Sequence, residues 1–125
     1  MAALRLIDGA AGSMWHVTVT VAGSRVAEPV IRAALERLSD EHPFLLAGRY
    51  GADRAEVRYW DEAADARVAL TMAVDLWDEH RQSAELPDWQ VVGVEVIDQE
   101  TFHRRGRATQ ARPEFIAAGR VLPFS

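Results

Sequence analysis

With 125 residues, 49% of them hydrophobic and 26% charged, the chain fits one domain with one modest core. It has no cysteine and no lysine, which excludes disulfides, thiolate nucleophiles, Cys-ligated zinc and lysine Schiff-base chemistry. The net charge of −5 is uneven, with 9 Arg against 17 Asp and Glu in residues 1–98 and 5 Arg against 2 Glu in residues 99–125, and so acidic a body argues against nucleic acid as a partner.

Residues 1–13, MAALRLIDGAAGS, have neither the charged start nor the apolar centre of a signal peptide. They read as a loose N-terminal arm or the remnant of a mis-set start. No apolar run approaches the roughly 20 residues that a membrane helix needs, so a cytoplasmic location and no membrane partner are expected. MWHVTVTVA (14–22) alternates, with Trp15, Val17, Val19 and Val21 on one side, which predicts a strand with one buried face. Residues 28–42 predict a helix: Pro29 suits the first turn, and Ile31, Ala34, Leu35 and Leu38 form an apolar stripe. FLLAGRY (44–50) and AEVRYW (55–60) predict two further strands, joined through Gly51 and Asp53.

Asp61 offers an N-cap to a second helix over 62–83, with Ala66, Leu70, Ala73, Val74 and Trp77 as its buried stripe. VVGVEVI (91–97) is the last strand of the series, with Val92, Val94 and Val96 expected toward the core. The order strand, helix, strand, strand, helix, strand predicts an α+β fold, the ferredoxin-like βαββαβ plait: a four-stranded antiparallel sheet with two helices on one face. Residues 14–98 would form that domain. Residues 99–125 would be a basic C-terminal tail docking on the body or on a partner subunit, because RVLPF (120–124) is too apolar to stay free. The second and fourth strands would be open edges, which invite pairing.

The triplet Asp-Glu-His occurs twice, at 40–42 and 78–80, each at the end of a predicted helix. Antiparallel helices overlapping along their length would hold the two triplets on the order of 20 Å apart, too far to share a metal. Neither triplet has the i, i+4 spacing of helical metal-binding histidines. His42 and His80 are therefore expected to meet the negative ends of their own helices, and no metal or cofactor is expected.

Alternation places a mixed set of side chains on the sheet face away from the helices. It holds His16, Thr18 and Thr20; Leu45, Ala47 and Arg49; Glu56, Arg58 and Trp60; and Val91, Gly93, Glu95 and Ile97. Three readings compete for it. It could be a solvated face laced with weak cross-strand ion pairs, or a dimer interface anchored by Trp60, Val91 and Ile97. It could also be a pocket in which Arg49 and Arg58 hold an anion, Trp60 stacks on a ring, Glu95 adds a carboxylate and His16 acts as acid or base.

VAGSRVAEPVIR (21–32) resembles the phosphate loop of acylphosphatases through Gly23, Arg25, Val26 and Arg32. Ala27-Glu28-Pro29 replaces the cradle glycine and the chain has no asparagine, so the resemblance implies no such activity. DRAEVRYW (53–60) offers only Trp60 where RNA-recognition domains of the same expected fold stack bases. Dimeric plait oxygenases and isomerases are similar in outline, which implies parts for His16, Arg58 and Trp60, while Tyr59 falls on the helix side. The stretches MWHVTV, DEHPFLLAGRY, DRAEVRYW and LWDEHR resemble a family of small, uncharacterised actinobacterial proteins over residues 14–103. That resemblance implies the fold and no activity.

The reading that follows is a non-catalytic binding or interaction module, a homodimer working through the open sheet face. The alternative is a small cofactor-independent enzyme or metabolite-binding protein, taking a small anionic or aromatic ligand on that face.

Overall fold

The structure is a computed structural model that describes residues 12–42, 45–108 and 120–124. The expected N-terminal arm lies outside the described residues as far as residue 11. Strand β1 (Ser13–Ala22) buries Val17, Val19 and Val21 and leaves Thr18 and Thr20 half-exposed, as a two-residue period requires of a strand with helices on one side. Helix α1 (Glu28–Glu41) leaves extended backbone at Ala27, takes Pro29 into its first turn and buries Ile31, Ala34, Leu35 and Leu38. Then follow β2 (Leu45–Tyr50), β3 (Arg54–Ala63), α2 (Ala66–Arg81), β4 (Gln90–Asp98), α3 (Gln99–Ala108) and β5 (Arg120–Pro123).

The sheet order is β4-β1-β3-β2-β5. The first three pairings are antiparallel and β2–β5 is parallel. This corrects the expected ferredoxin-like α/β plait: among the described residues the sheet is five-stranded and mixed, and three helices accompany it. The physical reason lies in the C-terminal segment. Without β5, β2 would present a row of unpaired N–H and C=O groups, and the apolar RVLP segment would have no shelter. Pairing from Ala47 with Arg120 to Tyr50 with Pro123 satisfies both, and Val121 packs on the core. The Phe124 N–H extends the contact by donating to the Tyr50 carbonyl at 2.8 Å.

Three local expectations are also corrected. Strand β3 runs on to Ala63, so Asp61 sits in the strand opposite Trp15 instead of capping a helix. The cap is Asp65, whose carboxylate accepts from the Val68 N–H at 3.0 Å. Helix α2 buries Ala69, Ala73, Leu76 and Trp77, and leaves Leu70 and Val74 at 42% and 48% exposure. Finally, β-bulges shift the phase of two strands. The bulge facing Thr20 and Val21 turns Val91 toward the core and leaves Val92 61% exposed; the bulge between Leu45 and Ala47 buries Leu45.

The core joins the inner row of the sheet to both helices. Tyr59, Ile31, Leu35, Leu38 and Trp77 are fully buried, each aliphatic side chain worth about 1.5–3 kcal/mol relative to exposure. Trp77 stacks on Trp89 at 6.3 Å, with their rings 3° from parallel. Both indole N–H groups are satisfied, donating to the carbonyls of Pro87 at 3.0 Å and Ser24 at 2.8 Å. These bonds tie the end of α2 and the entry to β4 back to the end of β1. No described helix is long and apolar enough to cross a membrane.

Candidate functional site

Strand register lays out the second face of the sheet in cross-strand rows. Trp60, His16 and Ile97 form one row. Ala47, Arg58, Thr18 and Glu95 form the next, and Arg49, Glu56, Thr20 and Gly93 the third. Leu45 and Val91, expected here, have left for the core. His16, Arg58, Trp60 and Glu95 thus occupy adjacent rows, whereas Arg49 is exposed in the third row, opposite Glu56.

This face is not bare. Helix α3 lies on it, against β1 and β4. Its Phe102 ring stands 4.4 Å from His16 and 4.8 Å from Trp60, and the His16 and Trp60 rings meet edge to face at 5.4 Å. Arg105 of α3 reaches both Glu95 oxygens, at 3.2 and 3.3 Å. On the strands, Arg58 Nε lies 3.4 Å from Glu56 Oε1. The helix therefore covers the end of the face that holds His16 and Trp60.

His16 is 5% exposed, and its Nδ1 has no hydrogen-bond partner among the described residues. Burial pushes its pKa down to about 4; the charges of Arg58 and Arg105 push the same way, and Glu95 opposes them. At neutral pH the ring is uncharged, with one nitrogen able to donate or accept a hydrogen bond.

The chain's two Asp-Glu-His triplets come together at the other face, against expectation. His80 Nδ1 lies 2.8 Å from Glu41 Oε1, and the Ser83 hydroxyl donates to the same oxygen at 2.7 Å. The His42 ring is 6.2 Å from that of His80 and edge-on to Tyr59 at 4.7 Å. A separation of the two triplets requires helices packed along their length. Instead α1 and α2 meet at their C-terminal ends, where the Arg37 guanidinium also donates to the carbonyls of Ala84 and Glu85. His80 is thus paired with a carboxylate of the other helix.

The hydrogen bonds from His80 and Ser83 hold the Glu41 carboxyl below the usual range. Burial lowers His42, and the charge of His80 adds to it; burial raises Asp61 and Tyr59. Among the described residues no three His, Asp or Glu side chains converge to hold a metal ion. The arrangement is a polar clamp between helix ends.

Composition does not single out Phe102 and Arg105, because residues 99–125 read as one basic tail. One signal for α3 was present: Asp98 followed at three residues by Thr101, with Glu100 in the first turn. The Asp98 carboxylate accepts from the Thr101 N–H at 2.7 Å, as an N-cap does.

No curated protein matches the chain. Residues 14–113 match a family described as a domain of unknown function (DUF8830), a span that includes every residue of the second-face site, and the chain belongs to that family.

Proposed function

We propose that this domain is a non-catalytic binding module whose ligand lies on the second face of the sheet, beside α3. The observation that supports this reading is the buried His16, whose Nδ1 has no hydrogen-bond partner among the described residues. A buried polar atom left unsatisfied costs about 1–3 kcal/mol, and a ligand hydrogen bond would offset it. The chemistry around it selects a small aromatic anion. Trp60 and Phe102 offer ring faces and edges within 5.4 Å of the imidazole. Arg58, one strand over and one row away, suits a carboxylate.

Binding is favoured over turnover because an imidazole titrating near pH 4 is a weak general base at neutral pH. Benzoate and inorganic phosphate are the probes, followed by NMR of the histidine and indole signals. Benzoate is expected to shift the His16 and Trp60 resonances saturably, and Arg58→Ala to remove the effect. Unmoved His16 resonances with both probes, or a response indifferent to Arg58→Ala and Phe102→Ala, would overturn the reading.

A further inference from the structure

The two ends of the sheet differ. β5 covers the outer side of β2, whereas β4 is terminal and pairs only with β1 among the described strands. Apolar side chains stand exposed along that end: Val92 on β4 at 61%, and Leu70 and Val74 on α2 at 42% and 48%. Helix α2 lies over β4, and Val74, Asp78 and Arg81 line a groove with Trp89, Gln90 and Val91 at the start of that strand.

Continuing the helical period back from Asp78 and Val74 gives Leu70 and Arg67, so the exposed stripe reads Arg67, Leu70, Val74, Asp78. This stripe is complementary to itself when reversed. Beside an antiparallel copy, Leu70 meets Val74 and Arg67 meets Asp78, each contact occurring twice. The two-fold axis that reverses α2 against its copy also sets the two β4 edges antiparallel.

We propose that a second copy of this chain docks along α2 and the edge of β4 that no described strand covers, forming a two-fold dimer joined by the Arg67–Leu70–Val74–Asp78 stripe. This surface is separate from the second-face site and does not depend on it. The dimer leaves Arg58, His16 and Trp60 of each copy outside the interface.

Sedimentation velocity over a concentration series tests the proposal, with circular dichroism melts to confirm that each exposed substitution leaves the fold intact. The wild type is expected to be a dimer, and Leu70→Asp with Val74→Asp a monomer. Arg67→Asp alone, or Asp78→Arg alone, sets like charges against each other twice and is expected to weaken association about tenfold. The two reversals together restore opposite charges and are expected to recover the dimer. A wild type that stays monomeric throughout the series overturns the proposal, as does a dimer that survives Leu70→Asp with Val74→Asp. A double reversal that fails to recover association overturns the antiparallel register.

Discussion

Replacing His16 with phenylalanine should remove a specific part of the pH dependence of stability. The imidazole titrates at 6.5 when solvated and near 4 in the folded chain, chiefly because it is buried. Between those values the unfolded chain takes up a proton that the folded chain refuses. Stability is therefore full above about pH 6.5 and is lost as pH falls toward 4. At about 1.4 kcal/mol per pH unit the whole loss is about 3 kcal/mol. Other groups act in the same window: His42, also lowered by burial, adds to the loss, and Asp61, raised by burial, opposes it. Comparing the wild type with His16→Phe cancels these contributions. Phenylalanine keeps a ring against Trp60 and Phe102 while removing Nδ1. The assay is urea unfolding at half-unit steps from pH 7.5 to 4.5. The difference between the two proteins should grow as pH falls, the variant being the less sensitive. A constant difference across that range would show that the ring is not held neutral by burial, and the site built on it would fall with it.

Phe102→Ala should uncover His16 and raise its pKa by about one unit or more toward 6.5, read by NMR titration; an unchanged value would mean that α3 does not shield the ring. Gly23→Ala would place a Cβ 2.3 Å from Trp89 Cδ1, in a ring that is stacked on Trp77 and bonded to Ser24. That overpacking should cost about 1–3 kcal/mol in urea unfolding. His80→Ala should let the Glu41 carboxyl titrate closer to its ordinary 4.5, seen by carbon-detected NMR, with little change in melting temperature because the pair lies at the protein surface, still in reach of solvent.

What could be read ahead of the structure follows from periodicity. Alternation in β1 and β3 separated Val17, Val19, Val21, Val57 and Tyr59 from His16, Thr18, Glu56, Arg58 and Trp60, because a strand between two layers can satisfy its hydrophobic residues in only one phase. The same logic failed at Val91 and Val92, where one extra residue reverses the phase and nothing local marks the bulge. It failed differently in α2. Val68, Leu70, Met72 and Val74 make that helix apolar beyond its buried stripe, so a 3.6-residue period fits more than one face. The meeting of Glu41 with His80 depends on where two helices come to rest on a sheet, a tertiary quantity that no single helix encodes. Phe102 was hidden by an averaging of charge: among basic neighbours on α3, its ring packs on His16 and Trp60 while Arg105 pairs with Glu95 of β4.

The unlike ends of the sheet also bear on how far association can go. An open sheet with two equivalent edges can add copies without limit, whereas one with a single competent edge closes as a two-fold pair. At the β5 end the strand is only four residues long and finishes at Pro123, which has no N–H to donate to a further strand. The same segment that satisfies β2 thus offers a further strand little to pair with. At the β4 end the strand is nine residues long and has no proline, next to the self-complementary stripe of α2. In the proposed dimer, the segment that replaced the expected four-stranded sheet by a five-stranded one thus also leaves β4 as the uncovered edge among the described strands. Substituting Pro123 by threonine should restore the missing donor, and if β5 is the stop, particles larger than a dimer should then appear in sedimentation at high concentration; their absence would assign the stop to the shortness of β5 alone.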